Sequence, residues 1–332
     1  MTSHLSIQGF GAYVPARRLS NADLERLVDT SDEWIVTRTG IRNRHVLADD
    51  ESGADAGTIA ARRALEAAGL APEDITHVIT ATCTPDFLCP NTACLISANL
   101  GIHGPMAFDL SSACSGFVYG LETARGLVLA HPDAKILLVS TEALTRRINW
   151  KDRGTSVVFG DGAGATVVSA CAEGKAPAGG ALIEDVVCHA DGGQWKLLTV
   201  GGGTKQRYEA GDPVDEAFYI HMEGREIYKN AVRTLTNVCH EIVERNGYTL
   251  DDIDVLVPHQ ANLRIIEAVG ERLGMGEDRV FVNIQDYGNT SAASIPLALN
   301  DAWRAGVFKP GMLALLTTFG GGFTWGAALL RF

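Results

Sequence analysis

Several things are scarce in this sequence of 332 residues, and each absence excludes something. No apolar run approaches the ~18 residues a membrane-spanning helix needs, so no span is expected. Met1-Thr-Ser-His4 lacks a basic stretch followed by an apolar core, so no secretory signal peptide is expected. Positive charge is short: 28 Lys and Arg stand against 40 Asp and Glu, a formal net charge of −12. Nucleic acid is therefore not an expected partner, since phosphate binding needs a broad basic footprint. Paired cysteines are missing too. The seven, at 83, 89, 94, 114, 171, 188 and 239, are odd in number and contain no Cys-x-x-Cys. That argues against a zinc site or a disulfide framework and for a reducing compartment. The expectation is a soluble cytoplasmic protein without a metal.

What is present begins with 36 glycines, many for an otherwise ordinary globular composition of 46% hydrophobic and 20% charged residues. Tight turns and close backbone approaches are expected, as in a layered α/β protein. One stretch organises the rest. Met106 to Leu110 reads as a strand that enters Ser111-Ser-Ala-Cys-Ser-Gly116. Phe117, Leu121, Ala124 and Val128 then recur at helical spacing, so a helix starts near Ser115. A free cysteine in apolar company is ordinarily a small core residue. Cys114, however, falls at a helix N-terminus, where unpaired amides and the helix dipole favour a thiolate, so a lowered pKa is expected.

The chain also echoes itself. After the helix Ala54–Ala68, Pro72-Glu-Asp-Ile-Thr-His-Val-Ile79 leads into a strand; after the helix Glu223–Asn246, Leu250-Asp-Asp-Ile-Asp-Val-Leu-Val257 does the same. Aligning Ile75 with Ile253 gives an offset of 253 − 75 = 178. Leu-Gly-Ile102 is answered by Leu-Gly-Met275, and the Cys114 turn by Tyr287-Gly-Asn-Thr-Ser291, each turn expected to follow a strand. The strands Ile136–Ser140 and Leu313–Thr317 follow, then glycine-rich endings at Phe159–Val168 and Phe319–Leu330. A period this long means a duplicated α/β unit with mainly parallel sheets, divided as 1–171 and 172–332. The link from about Ala172 to Ala217 reads as surface loops. Ligands bind beyond the carboxyl ends of such strands, where Cys114, His259, Asn289 and Gly320-Gly-Gly322 all fall.

A thiolate near an imidazole and an amide suits acyl transfer through a covalent thioester. Alone, His259 reads as a surface or satisfied residue and Gly288-Asn289 as a turn. Together, a neutral imidazole N–H and an uncharged amide aimed at one point stabilise an enolate oxygen, as a carbon–carbon condensation requires. The backbone N–H groups of Cys114 and Gly321 form a second oxyanion hole. Basic runs at Arg38, Arg42, Arg44 and at Arg146, Arg147, Lys151, Arg153 are either solvated loops or a site for a phosphate-bearing substrate tail.

Ser112-Ala-Cys-Ser-Gly-Phe117, Val257-Pro-His-Gln-Ala-Asn-Leu-Arg-Ile-Ile266, Tyr287-Gly-Asn-Thr-Ser-Ala-Ala-Ser-Ile-Pro296 and Phe319-Gly-Gly-Gly-Phe-Thr-Trp-Gly326 together resemble β-ketoacyl-acyl-carrier-protein synthase III of type II fatty-acid synthesis. Ser31-Asp-Glu-Trp-Ile-Val-Thr-Arg-Thr-Gly-Ile-Arg42 and Asp152-Arg-Gly-Thr155 resemble it too, so the likeness spans essentially the whole chain. It implies a thiolase-like α/β fold with a layered αβαβα core, a homodimer and no cofactor. Acetyl-CoA, or another short acyl-CoA, and the phosphopantetheine arm of acyl-carrier protein are substrates.

By the same resemblance Cys114 is the nucleophile, and His259 with Asn289 binds the malonyl thioester carbonyl. Trp34 and Arg153 sandwich the CoA adenine, and Arg38 contacts the pantetheine tunnel or phosphate. Gln260, Ala261, Asn262, Leu263 and Arg264, with Lys229, dock the carrier. Phe87 closes the acyl pocket of the partner across the dimer. The linking region Val187–Phe218 is longer than in shorter members of the family, which leaves the cover of the tunnel mouth open. Alternatives of the same fold make a polyketide starter, an alkylquinolone or an ester. A non-catalytic partner subunit would lack Cys114, a thiolase or hydroxymethylglutaryl-CoA synthase would replace Asn289, and a cysteine hydrolase does not suit the duplication.

Overall fold

The computed structural model describes residues 4–171, 176–204 and 216–332. The first half opens with β1 (His4–Tyr13). A small antiparallel pair, β2 (Arg17–Ser20) and β3 (Asn43–Val46), brackets α1 (Asn21–Leu24) and α2 (Asp32–Thr39). Then come α3 (Gly53–Ala68), β4 (His77–Ala81), α4 (Thr92–Leu100), β5 (Met106–Leu110), α5 (Gly116–Ala130), β6 (Lys135–Glu142), α6 (Arg153–Ser156) and β7 (Gly162–Cys171). The second half holds β8 (Ala181–Ala190), the short pair β9 (Leu198–Val200) and β10 (Ile220–Met222), α7 (Gly224–Arg245), β11 (Val255–Pro258), α8 (Leu263–Arg272), α9 (Ile284–Tyr287), α10 (Ser294–Arg304), β12 (Leu313–Gly320) and β13 (Thr324–Arg331).

Helix boundaries follow local chemistry. Ser52 accepts from the Asp55 amide in a reciprocal capping box, and Gly69 ends α3 in the left-handed conformation. Ser31 caps α2 by accepting from the Trp34 amide at 3.1 Å, which fixes where Trp34 stands.

Nine strands form one mixed sheet in the order β11-β12-β13-β8-β1-β7-β6-β4-β5. The two halves meet where β1 pairs antiparallel with β8. Helices α3 and α4 cover the outer face of the first half, and α7 and α8 that of the second. Between them, α5 touches β6 and β8, and α10 touches β7 and β11, so these two helices are the middle layer. Phe117, Leu121 and Val128 of α5 and Ile295 and Leu299 of α10 are fully or almost fully buried there, against strands of both halves. The result is an αβαβα stack, the thiolase-like architecture.

The repeat is visible residue by residue. At the offset of 178, β6 corresponds to β12 at both of its ends, and the 3-10 turn Ala113–Ser115 corresponds to Ser291–Ala293. Among the described residues, the two non-glycine positions with positive φ, Ala113 and Ser291, both at +49°, are themselves counterparts.

Two expectations are corrected. Ala181–Ala190 is not a surface loop: it is the central strand β8, the counterpart of β1. Its Glu184-Asp185 pair breaks the apolar pattern in the sequence. In the fold those acids are paired with Arg331 and with Arg245, which makes their burial tolerable. Further along the same link, Gly192–Leu197 is a 3-10 stretch and Leu198–Val200 is the strand β9, while 172–175 and 205–215 lie outside the described residues. In the second half, no strand precedes the Tyr287 turn. A single bridge, Leu256 to Val280, stands there, followed by the one-turn helix α9. The Gln260 amide oxygen accepts from the amides of Asn283 and Ile284, which takes those groups out of strand pairing.

Candidate active site

Cys114 lies in the turn between β5 and α5, buried at 7% exposure. The second half grips its backbone. Thr318 Oγ1 donates to the Cys114 carbonyl at 2.8 Å, Ser115 Oγ donates to the Thr324 carbonyl at 3.0 Å, and Thr324 Oγ1 donates to the Ser112 carbonyl at 2.9 Å. A Cβ on Gly320 would sit 2.8 Å from the Cys114 nitrogen, so only glycine lets β12 approach this closely.

The thiol itself departs from expectation. Burial pushes Cys114 up to about 12, and the nearby Glu142 pushes the same way; hydrogen bonds from Ser291 and from its own amide pull back. Desolvation of the thiolate therefore outweighs the helix-end position, and the resting group is a neutral thiol.

His259 follows directly on β11 and is likewise buried. Burial drives its imidazole down to about 3, so the ring is neutral at physiological pH. Its Nδ1 lies 2.9 Å from Ser294 Oγ, which also accepts from the Gln260 N–H at 2.7 Å. With that hydroxyl oxygen already accepting, its proton is free for Nδ1, which favours the tautomer with the ring proton on Nε2. Nε2 is buried with no hydrogen-bond partner.

Asn289 is fixed at both backbone ends: its N–H donates to Val158 at 2.9 Å and its carbonyl accepts from Gly160 at 3.0 Å. Its Oδ1 accepts from the Ser291 N–H at 2.8 Å, which leaves the amide Nδ2 group as the donor to offer. Gly288 makes this turn at φ +66°, where a Cβ would come within 2.8 Å of the Val158 carbonyl.

Cys114 stands between two cavities. The larger, about 720 Å³, is lined by Cys114, His259, Asn289 and Phe319 and runs out past Trp34, Arg38, Arg153, Arg225, Tyr228, Lys229 and Arg264. The smaller, about 360 Å³, is lined by Cys83, Cys114, Leu144, Val200, Ile220, Ser291, Gly321 and Gly322. Phe159 and Leu198 border both. Such a site accepts a long polar arm on one side and a short apolar group on the other, with the sulfur at the junction.

The other expected residues divide. Arg153 lies with its guanidinium carbon 4.6 Å from the Trp34 ring centroid. An intervening base needs roughly 7 Å, two contact layers of about 3.5 Å, so the pair stacks on itself and must part to admit one. Arg38 is exposed on the rim. Arg264 and Lys229 are exposed cations, Arg264 leaning on Tyr228 and Lys229 paired with Glu226 at 2.9 Å.

Gln260 corrects the sequence reading. It is 2% exposed, donates to the Pro258 and Phe281 carbonyls and holds the start of α9, so it is an internal bracket and not a docking residue. Asn262 caps α8 and donates to the Arg38 carbonyl, and Leu263 packs over Gly40. Ala261 is half-buried in the wall of the larger cavity. Gly321 borders the smaller cavity. Phe87 lines neither: it is 57% exposed beside Leu88 at 83%, over a separate surface cavity with Arg146 and Arg147.

Sequence reasoning missed Arg225 in the wall of the larger cavity and Ser294 against the His259 ring. Arg225 carried a usable signal, a cation in the first turn of a helix, where the dipole disfavours it. Among the described residues no helix is long and apolar enough to cross a membrane, and no cluster of His, Cys, Asp or Glu could hold a metal.

Known proteins match this arrangement. The family model for 3-oxoacyl-[acyl-carrier-protein] synthase III matches residues 108–192, and the model for its C-terminal part matches 243–332. A relative from Nitratidesulfovibrio vulgaris (strain DSM 19637 / Miyazaki F), named beta-ketoacyl-[acyl-carrier-protein] synthase III, is 60% identical over 98% of this chain and 97% of its own. The crystal structure of 3-oxoacyl-[acyl-carrier-protein] synthase III from Aquifex aeolicus VF5 superposes with a TM-score of 0.90 at 44% identity, over 99% of this chain and all of that one. The priming β-ketosynthase of the R1128 polyketide pathway also reaches 0.90, at 37% identity over 99% and 97%. With the Cys114-bearing first half and the His259- and Asn289-bearing second half both matched, and with full-length identity this high, the chain belongs to the β-ketoacyl-acyl-carrier-protein synthase III family of condensing acyltransferases.

Proposed function

We propose that this protein is the initiating condensing enzyme of type II fatty-acid synthesis. Cys114 takes an acetyl or other short acyl group from its CoA thioester. Malonyl-acyl-carrier protein then loses CO2, and its enolate carbon attacks the acyl-enzyme to give a β-ketoacyl-carrier protein, with CoA released in the first step. The observation that carries this reading is the pairing of two uncharged donors on one wall. His259 Nε2 is buried and unpartnered, the Asn289 amide is turned outward by Ser291, and both share a cavity with the Cys114 sulfur. Neutral donors stabilise an enolate without offering a proton that would quench it.

The acyl group fits the smaller cavity, and the amides of Cys114 and Gly321 receive its oxyanion. Trp34, Arg38 and Arg153 hold the nucleotide end of CoA, once the adenine has parted Arg153 from Trp34. Arg264 and Lys229 are cations on a chain of net charge −12, which suits a local contact with an acidic carrier. The enzyme works in the cytoplasm as a homodimer, in which the exposed Phe87 and Leu88 meet the partner's acyl pocket. No further cofactor is needed.

Intact-mass measurement after incubation with acetyl-CoA tests the reading. An acetyl adduct on the wild type that Cys114→Ala abolishes is expected; an unmodified wild-type Cys114 would sink it. The R1128 likeness favours one second reading, a priming enzyme of polyketide synthesis. A carrier from a polyketide pathway accepted far better than a fatty-acid carrier would decide for it.

A further inference from the structure

Arg44 was grouped in the sequence with Arg38 and Arg42 as a solvated or phosphate-binding run, and the fold corrects that. It sits in β3 with no accessible surface, the bulkiest side chain buried to this degree among the described residues. Its guanidinium meets neutral oxygens. Nη1 donates to the Leu19 carbonyl at 3.3 Å and to Asn21 Oδ1 at 2.8 Å, and Nη2 donates to the Val157 carbonyl at 2.7 Å. Nε has no partner, and among the described residues no carboxylate pairs with the group. Burial lowers it only to about 10, so it stays charged at neutral pH. Neutral acceptors do not offset the lost hydration of a cation, and an apolar side chain of similar length would fill the space without that cost.

The fork joins three segments that build the larger cavity. Leu19 belongs to β2. Asn21 opens α1 and donates to Asp32 Oδ1 at 2.8 Å and to the Ile41 carbonyl at 2.9 Å, so it clasps both ends of α2, which presents Trp34 and Arg38. Val157 follows α6 and lines the cavity together with Val158 and Phe159. The Asn289 N–H donates to the Val158 carbonyl, and the Asn289 carbonyl accepts from the Gly160 N–H. The strip Val157–Gly160 is thus held at its start by Arg44 and grips Asn289 along the rest. The Arg44 stem lies under the same turn: a Cβ on Gly160 would stand 3.0 Å, and one on Gly288 3.4 Å, from Arg44 Cβ. Cys114 is anchored elsewhere, through Thr318 and Thr324.

We propose that Arg44 is a positioning residue for malonyl decarboxylation: its planar fork fixes the Val157–Gly160 strip, and through that strip the aim of the Asn289 amide, without serving the loading of Cys114. The inference rests on the condensing reading above, in which Asn289 and His259 receive the enolate oxygen. Geometry is what the residue supplies. A guanidinium spreads its N–H groups in one rigid plane and reaches carbonyls from separate segments at once, whereas an ammonium is a single point.

The test follows two steps in the full-length protein: release of labelled CO2 from malonyl-acyl-carrier protein, and single-turnover acetylation of Cys114 at saturating acetyl-CoA. Arg44→Met keeps the stem and removes the fork. Decarboxylation is expected to fall roughly 10²-fold, as a misplacement of about 1 Å at a reacting centre does, with acetylation within about threefold of wild type. Arg44→Lys keeps the charge without the fork, and its decarboxylation is expected to stay below about a tenth of the wild-type rate. Decarboxylation by Arg44→Lys within about twofold of wild type overturns the proposal, because charge alone then suffices. An equal fall in both steps overturns it as well, being the mark of a merely structural brace, and so do wild-type rates in Arg44→Met. Should neither variant fold, Asn21→Ala decides, since it takes away one of the three acceptors. A smaller loss of decarboxylation with acetylation kept is expected there; unchanged rates, or equal loss of both, overturn the proposal. A wild type that gives neither adduct nor CO2 would instead overturn the condensing reading itself.

Discussion

The two halves of this molecule share a backbone and divide the chemistry. At the offset of 178, Cys114 faces Ala292, Ala81 faces His259, Ser111 faces Asn289, and Glu142 faces Gly320. The turns at Ala113 and Ser291 keep the same strained φ and pack against each other, so that a Cβ on Gly116 would touch Ala292 at 3.0 Å. Duplication thus gave two equivalent turns beside one axis, and side chains alone decided which half carries the sulfur and which the hydrogen-bond donors. Neither half contains a usable site. The connection between the last two strands differs most: three residues link β12 to β13, while the equivalent stretch between β6 and β7 carries Arg153, Val158 and Phe159, which build the tunnel.

The comparison breaks most sharply at the donors. His259→Ala and Asn289→Ala remove groups that the first half does not possess. Each is expected to lower malonyl decarboxylation roughly 10²–10³-fold while Cys114 is still acetylated. Release of labelled CO2 against adduct formation checks this; parallel loss of both steps would contradict the division of labour.

Next is the pair Glu142 and Gly320. One half holds a full side chain at this place, whereas the other cannot accept a methyl group without meeting the Cys114 nitrogen. Gly320→Ala should cost about 1–3 kcal/mol of stability, as overpacking does, and should slow acetylation as well. Denaturant titration measures the first effect; an unchanged midpoint would mean that the turn yields freely.

The buried imidazole has a pH signature that its counterpart Ala81 cannot have. The folded state holds His259 near 3 and the unfolded state near 6.5, so the unfolded chain binds more protons between those values. Stability from this group is complete above pH 6.5 and is lost as pH falls toward 3. His259→Gln should flatten that slope by up to about 1.4 kcal/mol per pH unit. Melts at pH 4, 5 and 6 would show it, and an unchanged slope would place the acid sensitivity elsewhere.

The smallest effect belongs to the tunnel insert. Arg153→Ala removes one exposed contact and should raise KM for acetyl-CoA several-fold, about 1 kcal/mol, with kcat little changed. A kcat loss without a KM change would assign Arg153 to the chemistry instead.

Much of this was legible beforehand because it is local. Capping residues, glycines past helix ends and the small-residue turn after β5 announce themselves in consecutive positions. The repeat needed only alignment, and the same offset applied to β1 would have exposed β8. The acids Glu184 and Asp185 concealed that strand, since their partners Arg331 and Arg245 are distant in the chain. Gln260 misled for a similar reason. Polar and surrounded by docking candidates, it looked exposed, yet the amides and carbonyls that consume it come from 258, 281, 283 and 284.

The sequence by itself determined the duplicated α/β plan, the turn that presents Cys114 and the identity of the imidazole and carboxamide. Only the tertiary structure decided their state. A protonated thiol, an uncharged imidazole with its Nε2 unclaimed, and a buried carboxylate at Glu142 held by Thr84 and Cys83 all follow from desolvation and from contacts distant in the chain. Those depend on groups brought together from far apart in the chain, and no local pattern encodes how much water the assembled fold removes.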